Sequence, residues 1–508
     1  MPWIVRMLIA LALLAFLGYF LIFVYYAVSL FRFPFDYDQG EGFELYDTLL
    51  HARGEWPYRN AEIQPFYTSV YPPVFHLATV PLVWVFGAHL WTGRLLSSTA
   101  SLIAAVAIGY AVFRESRRSW LAVVSGLAFL ASNYVYHIGP LFRQHMFMVM
   151  LETLTVVALA GTAGDDADRR KRRLIAGLVC LLLAGFTKQL AIATAFAAFG
   201  WLFLQNPRRA VLAGLGFTAM FTTIFLMINR ATDGFWFQST ILANVNRTVP
   251  GQFEMLFRQW FGLHYVLLLA AALRVIYETY FARISIYSLW FFFGIAVATL
   301  SGKFGAGESY FVTSIGAACV LSGLAFGEVL DRSRVWRPAF SFSLACAIPM
   351  LYLWQARLVL HLPTRGPIFG RIAHTLNLPP DSGYYDSQGY TQLGRPPDSA
   401  DIEAGWRIAE IVGAARQPVL SEEAGFPLAV GAEVVANPFP LLVMYEGGLF
   451  NPAEMVRQID SQAYGVVIFR AQFYPPPVLQ AIGAAYEPWQ EIQMNGFTYR
   501  ILRPKEDR

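Results

Sequence analysis

The chain has 508 residues, of which 56% are hydrophobic and only 14% charged, and its mean hydropathy is +0.45. Ordinary soluble domains carry about 25% charged residues, so this composition excludes a disordered chain and a water-soluble enzyme. The three cysteines all lie within apolar segments, which excludes a secreted disulfide scaffold. The composition therefore predicts a polytopic α-helical membrane protein.

The apolar segments predict about eleven transmembrane helices, each able to cross or nearly cross a hydrocarbon layer of roughly 30 Å. They lie at residues 3–30, 92–113, 120–138, 146–162, 174–188, 189–205, 210–228, 263–281, 284–301, 309–327 and 339–360. The stretch 71–87 is also apolar, but it is short and contains Pro81. It is predicted to be a helix lying in the membrane interface.

The basic clusters predict the orientation of these helices. With eleven spans, all of the clusters fall on the same face as the N-terminus, which the positive-inside rule makes cytoplasmic. The clusters comprise Arg6, Arg114, Arg117, Arg118, the run 169–173, Arg208, Arg209, Arg283, Arg332, Arg334 and Arg337. The protein is thus predicted to lie in a bacterial cytoplasmic membrane, with its N-terminus inside and its C-terminal domain outside.

This topology divides the chain into three parts. Residues 1–360 form the transmembrane domain, which includes a large first outer loop at 31–91, and residues 361–397 form a linker rich in Pro, Gly and Tyr. Residues 398–508 are predicted to form a small extracytoplasmic α/β domain. Its predicted helices lie near 400–416, 452–462 and 476–486, its strands at 419–421 and 465–469, and its hairpin turn at Asn495-Gly496.

The first outer loop opens with acidic residues directly after the first span, in the sequence FDYDQGEG at 35–42. Acidic residues beside aromatic residues and glycines suit a general base or a divalent metal site. Asp36 and Asp38 would share one face of an extended segment, close to the membrane surface, where unpaired charge is unfavourable. The pattern by itself is also compatible with a solvated acidic loop that performs no chemistry.

The other short outer turns carry cationic side chains. Arg143 and His145 lie between the third and fourth spans, Lys188 lies at the tip of the 174–205 hairpin, and Lys303 precedes Glu308 in a later turn. A phosphate bound at the outer membrane surface needs cations at that depth, so the cationic residues are candidates for phosphate binding. For any single one of them, helix capping or snorkelling to the interface is the alternative explanation.

The order of motifs in the N-terminal half resembles a known group of enzymes. The acidic motif is followed by GEWPYR at 54–59, YPP at 71–73, GRLLS at 93–97 and the TK turn at 187–188. In order and topology this is similar to the GT-C glycosyltransferases, which include the protein O-mannosyltransferases and the lipid A aminoarabinose transferase. The resemblance is greatest to bacterial members of uncertain acceptor, and it covers residues 1–210 and, more loosely, 300–311.

The resemblance implies an inverting transfer of a hexosyl or pentosyl group from a polyprenyl-phosphate donor to an extracytoplasmic glycan, lipid or protein. It implies Asp38 as the general base, with Asp36 as the alternative. Asp38 is followed here by Gln39, and the next acid is Glu41, so the assisting carboxylate stays open. A divalent cation, Mg or Mn, held by the three acids also stays open.

The remaining partners and site residues follow from the same topology. Membrane lipid surrounds the protein, and nucleic acid is not an expected partner. The predicted donor phosphate-binding residues are Lys303, Lys188, Arg143 and His145, and further site candidates are Glu308, Tyr310 and Tyr71. A single active site requires the first-loop carboxylates to lie within the span of one sugar phosphate from Lys303 and Arg143.

The main alternative is a polytopic transporter or a flippase for lipid-linked substrates. Such proteins are expected to have inverted repeats and ionisable residues near the middle of the bilayer. Here the polar candidates cluster at one face, and only Glu152 is moderately deep. A non-catalytic membrane protein that presents its outer domain to a partner would leave the charges in five separate outer segments unexplained.

Overall fold

Helices make up most of the structure, a computed structural model that describes residues 2–163, 166–360, 369–375, 377 and 396–506. In chain order the helices are α1 (Trp3–Phe31), α2 (Glu41–Ala52), α3 (Val74–Phe86), α4 (Leu90–Ser116), α5 (Ser119–Ala131), α6 (Asn133–Ile138), α7 (His145–Ala160), α8 (Ala167–Gly185), α9 (Ile192–Gln205), α10 (Pro207–Ala231), α11 (Phe235–Thr240), α12 (Gln252–Phe281), α13 (Ile286–Ala298), α14 (Val312–Arg332), α15 (Pro338–Leu358), α16 (Phe369–Thr375), α17 (Ser399–Ala414), α18 (Gly425–Ala429), α19 (Pro438–Glu446), α20 (Ala453–Asp460) and α21 (Pro476–Ala485).

All eleven predicted spans are helical, the third being broken at Ser132 into α5 and α6. By length and composition, six helices of the described residues can cross a membrane, namely α1, α4, α10, α12, α14 with its preceding turn, and α15. Shorter apolar helices supply most of the other predicted spans. The polytopic helical fold is therefore confirmed, whereas the count of eleven spans and their orientation stay predictions.

The packing of α14 and α10 shows how the bundle is built. Helix α14 lies inside it, against α4, α5, α12 and α13, and is rich in small residues. A Cβ at Gly323 would lie 2.6 Å from Oγ of Ser125 and 2.9 Å from the side chain of Val112, so glycine permits this close approach. Helix α10 is instead exposed along almost its whole length, with Leu212 70% exposed, as expected of a surface facing lipid.

The C-terminal domain has a four-stranded sheet in the order β1-β2-β4-β3, formed by β1 (Val419–Ser421), β2 (Val466–Phe469), β3 (Tyr486–Met494) and β4 (Phe497–Pro504). Strands β1 and β2 are parallel, while β4 pairs antiparallel with both β2 and β3. The predicted helices, strands and hairpin of the domain are confirmed, with boundaries displaced by one or two residues. Helices α18 and α19 were not predicted, because proline and glycine interrupt both segments.

The C-terminal domain packs directly on the segment that follows α1. The ring of Phe35 contacts Trp406 and Phe426, with ring centroids 5.3 and 5.4 Å apart. Gly405 allows this, because a Cβ there would lie 2.2 Å from the Phe35 ring. Most of the predicted linker at 361–397 lies outside the described residues, and the division of the chain into domains stays a prediction. The contact nevertheless fixes the domain beside the first outer loop.

Candidate active site

A cavity of about 540 Å³ lies where the first outer loop, the turns of the bundle and the C-terminal domain meet. Eight of the ten predicted site residues line it: Asp38, Tyr71, Arg143, His145, Lys188, Lys303, Glu308 and Tyr310. Asp36 and Glu41 are buried beside it and do not line it. Five separate segments of the transmembrane domain thus converge on one cavity, as the single-site hypothesis requires.

Asp38 lies at the cavity wall in an ion pair with Arg143. Nε of Arg143 donates to Oδ2 of Asp38 at 2.5 Å, and Nη1 donates to Oε1 of Glu44 at 3.1 Å. The guanidinium also donates to the backbone carbonyl of Gln39. Gly40 makes room for it: its φ is +107°, and a Cβ there would lie 2.9 Å from Nη2 of Arg143. Arg143 therefore holds the segment that carries Asp38.

Glu41 anchors that segment from the bundle side. Its carboxylate accepts from Nε and Nη2 of Arg94 at 2.9 and 2.8 Å, and from the backbone N–H groups of Tyr37 and Phe142 at 2.9 and 2.7 Å. Burial acts to raise the pKa of Glu41, but the Arg94 charge and these donors hold it below its usual value. Glu41 is therefore an ionised group enclosed by donors.

Asp36 anchors the segment from the side of the C-terminal domain. Its Oδ1 accepts from the backbone N–H of Gly42 at 2.6 Å, and its Oδ2 accepts from that of Gly425 at 2.9 Å. Because a Cβ on Gly425 would lie 2.1 Å from Oδ2, only glycine fits this approach. Burial raises the pKa of Asp36 to about 6. The contact joins the first loop to α18.

The cationic side of the cavity is formed by Lys188, Lys303 and His145. Lys188 is 4% exposed, donates to Nε2 of His145, and lies 5.0 and 5.7 Å from the ring centroids of Tyr71 and Tyr310. Among the described residues no carboxylate forms an ion pair with Lys188, so this buried amine is suited to bind an anion that enters the cavity.

Lys303 approaches the same cavity from the turn after α13. Its Nζ donates to the backbone carbonyl of Asn244 at 3.0 Å, and burial lowers its pKa. The backbone of this turn is fixed by the buried Gln252, whose side chain donates to the carbonyls of Ser301, Lys303 and Ala306. A second amine is thereby held at the cavity wall by the fold itself.

Three residues that sequence reasoning did not assign to the site form a buried polar group that is joined to Arg143 through Glu44. Nε2 of His76 lies 2.7 Å from Oε2 of Glu44 and 3.8 Å from Oδ2 of Asp47. Asp47 accepts from Tyr67 Oη at 2.7 Å and from Ser69 Oγ at 2.5 Å. Glu44 and Asp47 follow the acidic motif in sequence, but only the fold brings His76 to them.

The predicted cation ligands do not converge on one point. Both oxygens of Asp36 and both oxygens of Glu41 already accept hydrogen bonds from N–H groups, and Oδ2 of Asp38 is taken by Arg143. The ligand atoms of Glu44, Asp47 and His76 do lie within 4.8 Å of one another, but their carboxylate oxygens also have donors. These oxygens therefore already take part in hydrogen bonds, an arrangement that does not favour a bound metal ion.

The C-terminal domain contributes a wall of the cavity, through Glu422, Phe473 and the segment 437–440. Glu422 accepts from the backbone N–H groups of residues 470–473 at 2.6, 2.8, 2.9 and 2.5 Å. This carboxylate fixes the loop that carries Phe473. No motif in the sequence indicated these residues, because their role arises only from docking of the domain.

Comparison with solved structures identifies the fold. ArnT from Cupriavidus metallidurans bound to undecaprenyl phosphate matches with a TM-score of 0.56 and 16% identity, covering 98% of this chain and 97% of ArnT. The oligosaccharyltransferase AglB from Archaeoglobus fulgidus, in complex with an inhibitory peptide and a dolichol-phosphate, matches with a TM-score of 0.56 and 11% identity, covering 98% and 74%.

Apo structures of the same two proteins also match, with TM-scores of 0.56 for ArnT and 0.57 for the oligosaccharyltransferase. No family model and no curated protein matches the sequence. The matched structures are GT-C proteins, so the chain has the GT-C fold and the predicted structural resemblance is confirmed.

Proposed function

We propose that this GT-C-fold membrane protein is an inverting glycosyltransferase that moves a hexosyl or pentosyl group from a polyprenyl-phosphate donor to an extracytoplasmic acceptor. The observation that carries the proposal is one cavity in which the carboxylate of Asp38 shares the wall with the buried amines of Lys188 and Lys303. The undecaprenyl phosphate and dolichol-phosphate bound to the solved structures of the same fold support the choice of donor.

Asp38 is the proposed general base. Its Oδ2 is held by Arg143 at 2.5 Å, whereas Oδ1 accepts no hydrogen bond from the described residues. A base must accept a proton from the acceptor hydroxyl as the oxygen attacks the anomeric carbon. One fixed oxygen and one available oxygen suit that task, because the ion pair sets the direction of the carboxylate and leaves it an accepting lone pair.

The amines stabilise the charge that grows on the departing lipid phosphate. As the bond between the anomeric carbon and the phosphate oxygen breaks, negative charge builds up on the phosphate. Lys188 and Lys303 lie at the cavity wall, and His145 carries an Nδ1 without a partner among the described residues. Because Lys188 is buried, its contact with an anion is stronger than it would be in water.

Each remaining group has a supporting task. Arg143 orients Asp38, and the proposed roles of Tyr71 and Tyr310 are to flank the ammonium of Lys188 with their ring faces. Glu308, which is 5% exposed and lines the cavity, is a candidate for contact with the sugar or the acceptor. The prenyl chain would lie in the membrane, in an apolar groove between α3 and the outer halves of the later spans.

Release of undecaprenyl phosphate from a panel of undecaprenyl-phosphate-linked sugars tests the proposal. Purified protein in lipid nanodiscs, supplied with cell-envelope acceptors, is expected to release the carrier lipid, and Asp38→Asn is expected to abolish release while the protein still binds undecaprenyl phosphate. Asp331→Asn is the matched control, because Asp331 lies in an exposed pair with Arg118 outside the cavity.

Two outcomes would contradict the proposal. Full transferase activity in Asp38→Asn would remove Asp38 as the base. Movement of the lipid-linked sugar across a vesicle membrane, with the bond to the carrier intact, would favour the flippase alternative.

A further inference from the structure

The cavity has an aromatic wall made by Phe304, Phe439 and Phe473. The rings of Phe304 and Phe439 are stacked, with centroids 5.8 Å apart and an interplanar angle of 25°. Phe473 meets Phe439 edge-on, at 5.9 Å and 81°. All three line the cavity and are only partly buried. They come from both the transmembrane and the C-terminal domains, so the wall exists only when the two are docked.

The fold holds these rings in place. A Cβ at Gly305, where φ is +75°, would lie 2.2 Å from the ring of Phe439, so this glycine admits the ring. The guanidinium of Arg247 lies 4.5 Å from the centroid of Phe304 and pairs with Glu446 at 3.2 Å. Because the wall is ordered before a ligand arrives, binding to it costs less conformational entropy.

Two side-chain amides at the same cavity have an oxygen that accepts no hydrogen bond from the described residues. Oε1 of Gln39 and Oδ1 of Asn246 are buried, and neither has a partner among the described residues, although both residues line the cavity. A buried polar atom without a partner is unfavourable, so each of these oxygens would gain a hydrogen bond if its side chain turned to meet a hydroxyl group of a ligand in the cavity. Neutral amides pair well with hydroxyl groups, which donate and accept hydrogen bonds.

We propose that this aromatic wall and the two amides form the acceptor subsite, and that the acceptor is a neutral carbohydrate ring. The apolar C–H face of a sugar matches a phenylalanine ring, and its hydroxyl groups match Gln39 and Asn246. The inference rests on the proposed glycosyltransferase function and names the acceptor class that the function leaves open.

The charges of this wall disfavour the other acceptor classes. Arg247 is engaged by Glu446 and the ring of Phe304, and the carboxylate of Glu422 is enclosed by four backbone N–H groups. An anionic acceptor would need a further cation here, and a cationic peptide would need an available carboxylate. An acyl chain would leave the two amides unpaired.

Saturation-transfer NMR with the full chain in nanodiscs tests the assignment. The probes are a panel of neutral methyl glycopyranosides and one neutral serine-containing heptapeptide. At least one glycoside is expected to receive saturation from the wild type, and Phe439→Leu and Asn246→Leu are each expected to weaken its binding roughly threefold to tenfold. Phe439→Tyr keeps the aromatic face and should retain binding.

The control variant is Trp489→Leu, because Trp489 is an exposed aromatic side chain of the same domain that does not line the cavity. Its glycoside binding should equal that of the wild type. Thermal unfolding of every variant confirms that the domain stays folded. Equal binding by Phe439→Leu and the wild type, binding of the heptapeptide alone, or binding of no glycoside would each overturn the acceptor assignment.

Binding of undecaprenyl phosphate, measured on the same samples, separates this inference from the proposed function. If the wild type binds the lipid phosphate and Lys188→Met does not, the donor site is supported whichever result the glycosides give. If transfer to a glycoside is then observed, its KM for the glycoside should rise in Phe439→Leu while release of the carrier at saturating glycoside is retained. Failure of lipid phosphate binding in the wild type would count against the proposed function instead.

Discussion

Replacing Arg94 by methionine should disrupt the segment between α1 and α2, which carries Asp38, and the structure allows the size of the effect to be worked out. Both side chains of the Arg94–Glu41 pair are 0% exposed. Arg94 also donates to the backbone carbonyls of Leu30, Phe33 and Phe35 at 2.6, 2.5 and 2.7 Å. The substitution therefore leaves the buried Glu41 carboxylate without its counter-charge and the carbonyls of Phe33 and Phe35 without this donor, whereas the Leu30 carbonyl keeps the N–H of Phe33 at 3.0 Å.

The expected loss is comparable with the stability of a whole folded domain. Breaking one side of a buried ion pair costs about 3–5 kcal/mol, and each carbonyl left without a partner adds about 1–3 kcal/mol. A folded domain is stable by only about 5–15 kcal/mol in total. We therefore expect Arg94→Met to unfold the segment between α1 and α2 and to abolish transferase activity.

Thermal unfolding in detergent and protease cleavage within the first outer loop measure this loss. The matched control is Arg118→Met, since its pair with Asp331 spans 2.7 Å between side chains that are 22% and 50% exposed. Exposed pairs contribute about 0–1 kcal/mol, so this variant should stay close to the wild type. Wild-type stability and an uncleaved loop in Arg94→Met would refute the reasoning.

Three further predictions concern single groups of the site. Gly40→Ala would place a Cβ 2.9 Å from Nη2 of Arg143 and should abolish carrier release. Gly54→Ala is the control: it is also at positive φ but has nothing within 4 Å, so it should lose stability and keep carrier release, as carrier-release assays can measure. Burial raises the pKa of Asp36 from 3.8 to about 6, so its contribution to the free energy of unfolding should decline as the pH rises from about 4 to about 6. Thermal unfolding measured over this pH range should lose this dependence in Asp36→Asn. Lys188→Met should lose undecaprenyl phosphate binding and keep its stability. Lys171→Met, at an exposed position, should keep both properties, and equal lipid binding by the two variants would count against Lys188 as a phosphate ligand.

The membrane topology made much of the cavity predictable. Charge parity predicts that the turns carrying Arg143, Lys188 and Lys303 lie on one face, and the length of the apolar segments predicts the depth of each turn. Residues confined to one face of a bundle have few places to meet. The sequence therefore indicated which cations converge, although it contained no information on the distances between them.

The separate roles of the three first-loop acids could not be predicted. Asp36, Asp38 and Glu41 are alike in sequence, and only tertiary contacts distinguish them. Asp36 meets Gly425, which is 389 residues away, and Glu41 meets Arg94, which is 53 residues away. Such partners carry no local signal, since any buried arginine or glycine N–H could have supplied the donors. The aromatic wall was hidden for the same reason.

The three acids act together because the segment 35–40 has no regular secondary structure of its own. Glu41 and Arg94 fix one end against the bundle, Asp36 and Gly425 fix it against the C-terminal domain, and Asp38 lies between these two anchors. A carboxylate on an unsupported loop would sample many directions, and each would reduce the fraction of time spent in a productive geometry. The two buried acids therefore contribute to the proposed chemistry without touching the substrate, by holding the third in one direction. The C-terminal domain is then required twice, once to complete the cavity wall and once to hold the base.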